Sequence, residues 1–200
     1  MNVIEHQLSW RAAGIALVAS TVLLGGCVPM PRIERVAPAP RFAATEFFTG
    51  RTEGRATLRV ITRKATPIAV HGIGRLDSDG TLVLDQIVDE VGKPPKKRQW
   101  RIRETSPDHY AGTLSDATGG VTGMTNGDRL VLRFTMKGGF RAKQFLTLRP
   151  DGQSAHNVMV VRKFGVTVAV LDEVITREPI VLESITREAV TGEAISQAKP

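Results

Sequence analysis

Asp128-Arg129-Leu130-Val131-Leu132-Arg133-Phe134-Thr135-Met136 is the stretch that decides the fold. Leu130, Leu132, Phe134 and Met136 fall on one face, and Arg129, Val131, Arg133 and Thr135 on the other. A period of two belongs to a half-buried strand, not to a helix. Asn126-Gly127 stands just before it, between two apolar runs, and is the sharpest hairpin signal in the chain.

The same period continues on both sides. Ala56, Leu58 and Val60 alternate with Thr57, Arg59 and Ile61, and further strands are expected at residues 68–76, 81–89, 98–103, 110–116, 142–148, 157–161 and 166–174. The breaks carry turn chemistry: Ser78-Asp79-Gly80, Gly92-Lys93-Pro94-Pro95, Lys137-Gly138-Gly139 and Asp151-Gly152. No helical window of convincing length separates the strands, so they must pair antiparallel, in a sandwich or a closed barrel. Glycines inside the strands (Gly72, Gly74, Gly112, Gly120, Gly123) suit the bends of a small barrel, which also removes exposed edges. The expected fold is therefore all-β: an antiparallel barrel over residues 46–176.

The N-terminal quarter reads differently. An apolar run from Ala12 to Leu24 follows Arg11 and ends in Leu24-Gly25-Gly26-Cys27. Small residues before a cleavage point mark a signal peptide, and the run is shorter than the ~20 residues needed to span a bilayer. This pattern resembles a bacterial lipobox, which implies removal of residues 1–26 and acylation of Cys27, the chain's single cysteine. The Val28 that follows Cys27 is not the aspartate that retains many such proteins at the inner membrane, so the resemblance points to the periplasmic face of the outer membrane. With Cys27 acylated no thiol is left for a disulfide, and the fold must rest on core burial. Residues 27–45 hold Pro29, Pro31, Pro38 and Pro40 and read as an extended tether, able to hold the domain up to ~50 Å from the membrane. Residues 177–200 read as a tail; Glu173–Glu178 recurs there once, as Glu183–Glu188, too little for a repeat architecture.

Phe47-Phe48-Thr49-Gly50, Arg98-Gln99-Trp100-Arg101-Ile102, Tyr110-Ala111-Gly112-Thr113, Asp116-Ala117-Thr118-Gly119, Gly123, Asn157 and Arg162-Lys163-Phe164-Gly165-Val166 follow one another in an order similar to that of a bacterial lipoprotein family, domain of unknown function 3833. The resemblance covers residues 47 to about 174 and implies a lipocalin- or calycin-like barrel with no established activity. It also implies a tryptophan closing one barrel end under a basic side chain, here Trp100 with Arg98 or Lys163; the alternative reading of Trp100 is an ordinary core tryptophan. The chain departs from the family pattern at Gln86, where an acid is usual, near Lys143-Gln144-Phe145, where acids and a Trp are usual, and at Val158, where an Arg is usual. If those charges form one interior cluster, this chain has lost both signs together, as charge balance in a buried site requires.

Other chemistries find little support. No serine sits in a Gly-x-Ser-x-Gly elbow, His71, His109 and His156 lack metal-ligand spacing, and no strand–glycine loop–helix unit exists for a phosphate. No catalytic residue, metal, cofactor or enzyme activity is expected. The formal charge of +7 meets phospholipid and lipopolysaccharide headgroups in an exported protein, and with Trp100 alone interleaved among the bases nucleic acid is not expected. Lys93, Lys96, Lys97 and Arg98 form the candidate membrane-facing patch, and Leu58, Trp100, Asp116, Leu130, Leu132, Phe134 and Phe145 the candidate barrel lining. The expected protein is a membrane-anchored barrel binding a lipid-like or other apolar small molecule. The alternatives are a packed structural or interaction lipoprotein and, third, a hydrolase; oligomeric state stays open.

Overall fold

The computed structural model describes residues 28–178; Cys27, the expected signal segment 1–26 and residues 179–200 of the expected tail lie outside the described residues. A single helical turn, α1 (Ala44–Phe47), precedes ten strands. They are β1 (Gly50–Val60), β2 (Arg63–Leu76), β3 (Leu82–Glu90), β4 (Lys96–Ser106), β5 (His109–Leu114), β6 (Gly120–Asn126), β7 (Arg129–Met136), β8 (Phe140–Leu148), β9 (Ser154–Lys163) and β10 (Val166–Arg177). Each pairs antiparallel with its sequence neighbours, and β1 pairs with β10 from Thr52↔Arg177 to Val60↔Ala169, closing the barrel. Closure leaves no strand edge free.

The alternation of the Arg129–Met136 strand holds in three dimensions: Leu130, Leu132 and Phe134 are buried inward while Arg133 is exposed. One strand escaped the period-two reading. β6, Gly-Val-Thr-Gly-Met-Thr-Asn, shows one strong apolar residue on its inner face, Val121. Gly123 is inward too, pressed by Leu132 and Tyr110 from the two flanking strands, so its burial uses no side chain of its own.

Residues 28–43 are not a free spacer. Val28 and Ile33 pack on Val158, Val160 and Val170, which point outward from β9 and β10 yet are nearly fully buried. Arg129 donates to the carbonyl of Glu34, and His156 Nδ1 lies 3.3 Å from a Glu34 carboxylate oxygen. Lower down, the amide of Ala37 donates to Asp128 Oδ1 (2.9 Å) and the amide of Asp128 to the Ala37 carbonyl (2.9 Å). Proline content favoured an extended chain, and extended it is, but outward valines give it a wall to lie on. The segment descends that wall and turns under the barrel.

There it forms a plug. Phe42, Phe47 and Phe48 are buried, with ring centroids 4.9–6.3 Å apart, and join Leu82, Ile102, Tyr110, Leu130, Leu148 and Ala155 in the main core. The Phe42 amide donates to Gly127 O (2.8 Å), and Thr125 Oγ1 donates to Phe42 O (3.0 Å). The Phe48 carbonyl presses so closely on Gly74 that no Cβ fits there. This trio closes the end ringed by the β2–β3, β4–β5, β6–β7 and β8–β9 turns, while buried Trp100, Leu114, Val121, Phe134 and Ala142 carry the same core toward the opposite end along β4–β8. Phe42→Ala should cost ~3–5 kcal/mol of unfolding free energy in urea titrations. Val36→Ala, at a side chain 43% exposed, should change it by less than about 0.5 kcal/mol.

Candidate functional site

The barrel interior changes character with height. Its base, over the phenylalanine plug, is packed with apolar side chains, and on the β5–β8 side this packing continues up to Leu114, Val121, Phe134 and Ala142 near the mouth. Around mid-height a polar belt crosses it, one residue from each contributing strand: Gln86 on β3, Arg98 on β4, Gln144 on β8, Asn157 on β9 and Glu173 on β10. Toward the open mouth the inner wall is apolar again, with Ala56, Leu58, Val88, Met159 and Leu171. Leu58, Val88, Met136 and Met159 point inward and remain only half-buried. An inward side chain that keeps exposed surface lines open space. Ten strands also enclose more than the roughly eight whose interior side chains just fill.

The belt is built from cross-strand pairs. Gln86 lies directly opposite Arg98, and Asn157 directly opposite Glu173. Gln86 Oε1 accepts from Arg98 Nε (2.7 Å) and from the indole Nε1 of buried Trp100 (2.9 Å). Asn157 Nδ2 donates to Glu173 Oε2 (2.6 Å). Glu173 leans across β1 where Gly54 leaves room; a Cβ there would meet its carboxylate. Gln144 Oε1 and Asn157 Oδ1 are buried with no partner among the described protein atoms, and such groups cost stability unless something supplies the missing hydrogen bond.

The two charges feel the low dielectric strongly. Burial pushes the Glu173 carboxyl above its ordinary value, against the opposing effects of the Asn157 hydrogen bond and the Arg98 charge. Burial likewise pulls the Arg98 guanidinium down, while Glu173 and Asp116 support its charge. Arg98 and Glu173 each take a neutral amide as hydrogen-bond partner, Gln86 and Asn157 respectively. The interior is therefore not stripped of charge, as Gln86 and Gln144 implied: one cation and one acid remain, contributed by strands outside that pattern. Val158 faces outward under the N-terminal segment and takes no part.

Leu58, Trp100, Leu130, Leu132 and Phe134 lie on the inner face. Two others of the expected lining do not. Phe145 is on the outer face of β8, because Gln144 and Leu146 are the inward residues and a register step of one exchanges faces. Its ring covers outward valines and carries Lys143 Nζ at 4.6 Å. Asp116 sits in the β5–β6 turn at the mouth, bound to Lys96 Nζ at 2.8 Å. Trp100 stands at belt height, edge-on to Phe134 (5.3 Å, 89°), with the Arg98 guanidinium 5.9 Å from its ring. Lys163 instead lies over Phe140 and Phe164. Of the basic patch, Lys93, Lys96 and Lys97 are exposed, whereas Arg98 turns inward. The period-two pattern held the signal for that: Arg98 shares a face with Trp100 and Ile102.

A concavity of about 740 Å³ lies along β1–β4, lined by Glu53, His71, Asp85, Lys97 and Gln99 of the outer face and also by Gln86 and Arg98 of the belt. Several of its polar groups are paired: His71 Nδ1 meets Glu53 (2.7 Å) and Nε2 meets Asp89 (3.3 Å), and Asp85 Oδ1 accepts from Gln99 Nε2 (2.7 Å). Among the described residues no cluster of three or more His, Cys, Asp and Glu side chains converges as a metal site would.

A family profile described as "Protein of unknown function (DUF3833)" matches residues 21–177. No curated protein matches the chain in sequence. Among solved structures the fold is similar to the S-type phycobiliprotein lyase of Guillardia theta, with TM-score 0.55 and 8% identity over 68% of this chain and 90% of that one. It is also similar to a DUF3598-family protein of unknown function from Nostoc punctiforme, with TM-score 0.53 and 11% identity over 70% of this chain and 51% of that one. The chain thus spans about half of the latter. At such identities the likeness is one of fold: the barrel is of the lipocalin-like kind.

A folded state that holds the Glu173 proton more tightly than the unfolded chain, where a glutamate titrates near 4.3, has that stabilisation in full below this pH and loses it as pH rises through the folded value. Glu173→Gln should therefore gain stability relative to the parent between pH 4.5 and pH 8, read as the difference in urea midpoints. A difference independent of pH would mean that Glu173 is not held this way.

Proposed function

Because the chain belongs to the DUF3833 family of proteins of unknown function, it inherits no established activity, and we propose from the geometry that it is a lipid-anchored binding protein of the cell envelope and not an enzyme. The ligand is a lipid-like small molecule that enters by the open mouth. Its apolar body lies against Leu58, Val88, Met159 and Leu171, and its polar head reaches the belt of Gln86, Arg98, Gln144, Asn157 and Glu173. The observation that carries this reading is the pair of buried, unpartnered acceptors, Gln144 Oε1 and Asn157 Oδ1, beneath half-exposed inward apolar side chains. A ligand head that donates hydrogen bonds recovers what burial has cost those groups. Apolar lining with a few convergent polar groups is the ordinary composition of a small-molecule site.

Anchoring comes from the lipobox-like sequence: Cys27 acylated after removal of residues 1–26, and the domain held at the periplasmic face of the outer membrane. Two or more acyl chains give stable attachment, at ~0.8 kcal/mol per buried methylene. The packed base of the barrel favours a second reading, a structural or interaction lipoprotein with no ligand.

Native mass spectrometry of gently extracted protein separates the two. A co-purifying lipid-like mass supports binding, and repeated recovery of ligand-free protein favours the structural role. Leu58→Trp, which fills the upper chamber from a half-exposed position, should weaken uptake of cis-parinaric acid at least roughly tenfold, about 1.4 kcal/mol, without unfolding the barrel. An N-terminal peptide mass lacking acyl chains on Cys27 would overturn the anchoring.

A further inference from the structure

We propose that the open mouth of the barrel docks flat on an anionic membrane surface, so that the site opens directly onto the lipid. This rests on the anchored-binding reading above and adds an orientation to it. Three independent features of the described residues converge on that face.

The first is exposed apolar surface. Ile61 (42% exposed), Val91 (71%), Phe164 (94%) and Val166 (57%) stand on three hairpins, β1–β2, β3–β4 and β9–β10, that are adjacent around the rim. Phe164 is the telling residue. It occupies a two-residue turn with Gly165, at φ +50°, where Asn would serve the backbone better. A bulky aromatic in a left-handed turn, almost wholly in water, is explained neither by folding nor by packing. It fits insertion at a headgroup boundary, where aromatic and aliphatic side chains of peripheral proteins bury a few ångströms deep.

The second is charge. Counting each mouth turn with its two flanking strand residues, the rim holds five bases (Arg63, Lys93, Lys96, Lys137, Lys163) against two acids (Glu90, Asp116). Both acids are already taken, Glu90 by Arg63 and Lys93 and Asp116 by Lys96. The turns of the plugged end, counted the same way, reverse the ratio: Asp77, Asp79, Asp108, Asp128 and Asp151 against Arg129 and Arg149. At the plugged end Asp77 and Asp108 are paired with Arg101 and Arg41 from outside the turns, so the contrast rests on the excess of bases at the mouth, and an anionic bilayer favours the mouth over the base.

The third is the path of the N-terminal segment. It climbs from Ala37, at the plugged end, past Glu34 beside His156, to Val28 against the Val158, Val160 and Val170 cluster. Val160 lies three residues from the mouth end of β9, about 10 Å along a strand. Cys27 is the residue before Val28. The described end of the segment, Val28, thus lies against the mouth half of the wall, and a lipid anchor attached just ahead of it in the chain favours a mouth-down barrel.

The test uses the mature chain reconstituted in vesicles of phosphatidylethanolamine and phosphatidylglycerol, with a nitroxide label at Val91→Cys or, for the opposite end, at Asp151→Cys. The N-terminal peptide mass is read on the same sample; if Cys27 carries no acyl chain, anchoring fails, and the labels are then placed in a Cys27→Ser background. The Val91 label should be reached by oxygen from the lipid phase and shielded from an aqueous nickel quencher, and the Asp151 label the reverse. Phe164→Asn, which suits its turn better and so threatens no folding, combined with Lys137→Gln and Lys163→Gln, should shift the Val91 label toward the aqueous pattern. Pure phosphatidylcholine vesicles should produce the same shift. Equal aqueous access at both labels, or lipid contact at Asp151, would overturn the docking whatever the state of Cys27.

Discussion

The width of a ten-stranded ring governs the rest of this structure. Pairing of β1 with β10 closes the sheet, and a closed ring of ten encloses more than its own inward side chains fill when many of them are Ala, Val, Gly or Thr. The excess must be filled, left open or furnished with polar groups. All three solutions are stacked along one axis: phenylalanines imported from the N-terminal segment at the base, an amide and charge belt in the middle, and a half-exposed apolar collar at the mouth.

The N-terminal segment ties these levels together. Its outer run is held by valines that would otherwise be an exposed apolar stripe on the wall. Its lower run is fixed by the reciprocal hydrogen bonds of Ala37 with Asp128 and by the backbone of Phe42 at Gly127 and Thr125. Plug and strap are one continuous stretch, so a change in either is transmitted through about fifteen residues of chain that have no strand partner of their own. The segment is part of the fold and not an appendage to it.

The polar belt has a cost that the base does not. Glu173 and Arg98 are held inside with one neutral amide each, and two further amide oxygens lack partners among the described protein atoms. A barrel selected for stability alone does better with apolar groups at these positions. Their retention, directly below the part of the wall that is not filled, gives the interior a chemical direction from apolar mouth to polar middle.

Much of this was legible in the residues themselves. Strict alternation at Arg129–Met136 and its neighbours, with Asn-Gly and Asp-Gly turns between them, required antiparallel strands, because side-chain period and turn chemistry are local properties. Order and spacing of motifs such as Arg98–Ile102 and Arg162–Val166 were enough to suggest the family. Alternation also put Arg98 on the Trp100 face, although its neighbours Lys96 and Lys97 suggested a surface patch. What local pattern could not decide was which face meets what. Phe145 is apolar and was expected inside, but the register of β8 turns Gln144 inward and leaves Phe145 on the outer wall against Val158, Val160 and Val170. β6 hid because glycine at 123 buries its neighbours' side chains and not its own. Proline-rich residues 28–43 read as a spacer since nothing in them announces the outward valines of β9 and β10. Glu173 drew notice in the sequence only as the start of the Glu173–Glu178 echo, and only closure of β10 against both β1 and β9 sets it opposite Asn157 and over Gly54. Contacts between distant segments depend on how the ring closes, and closure is a property of the whole sheet.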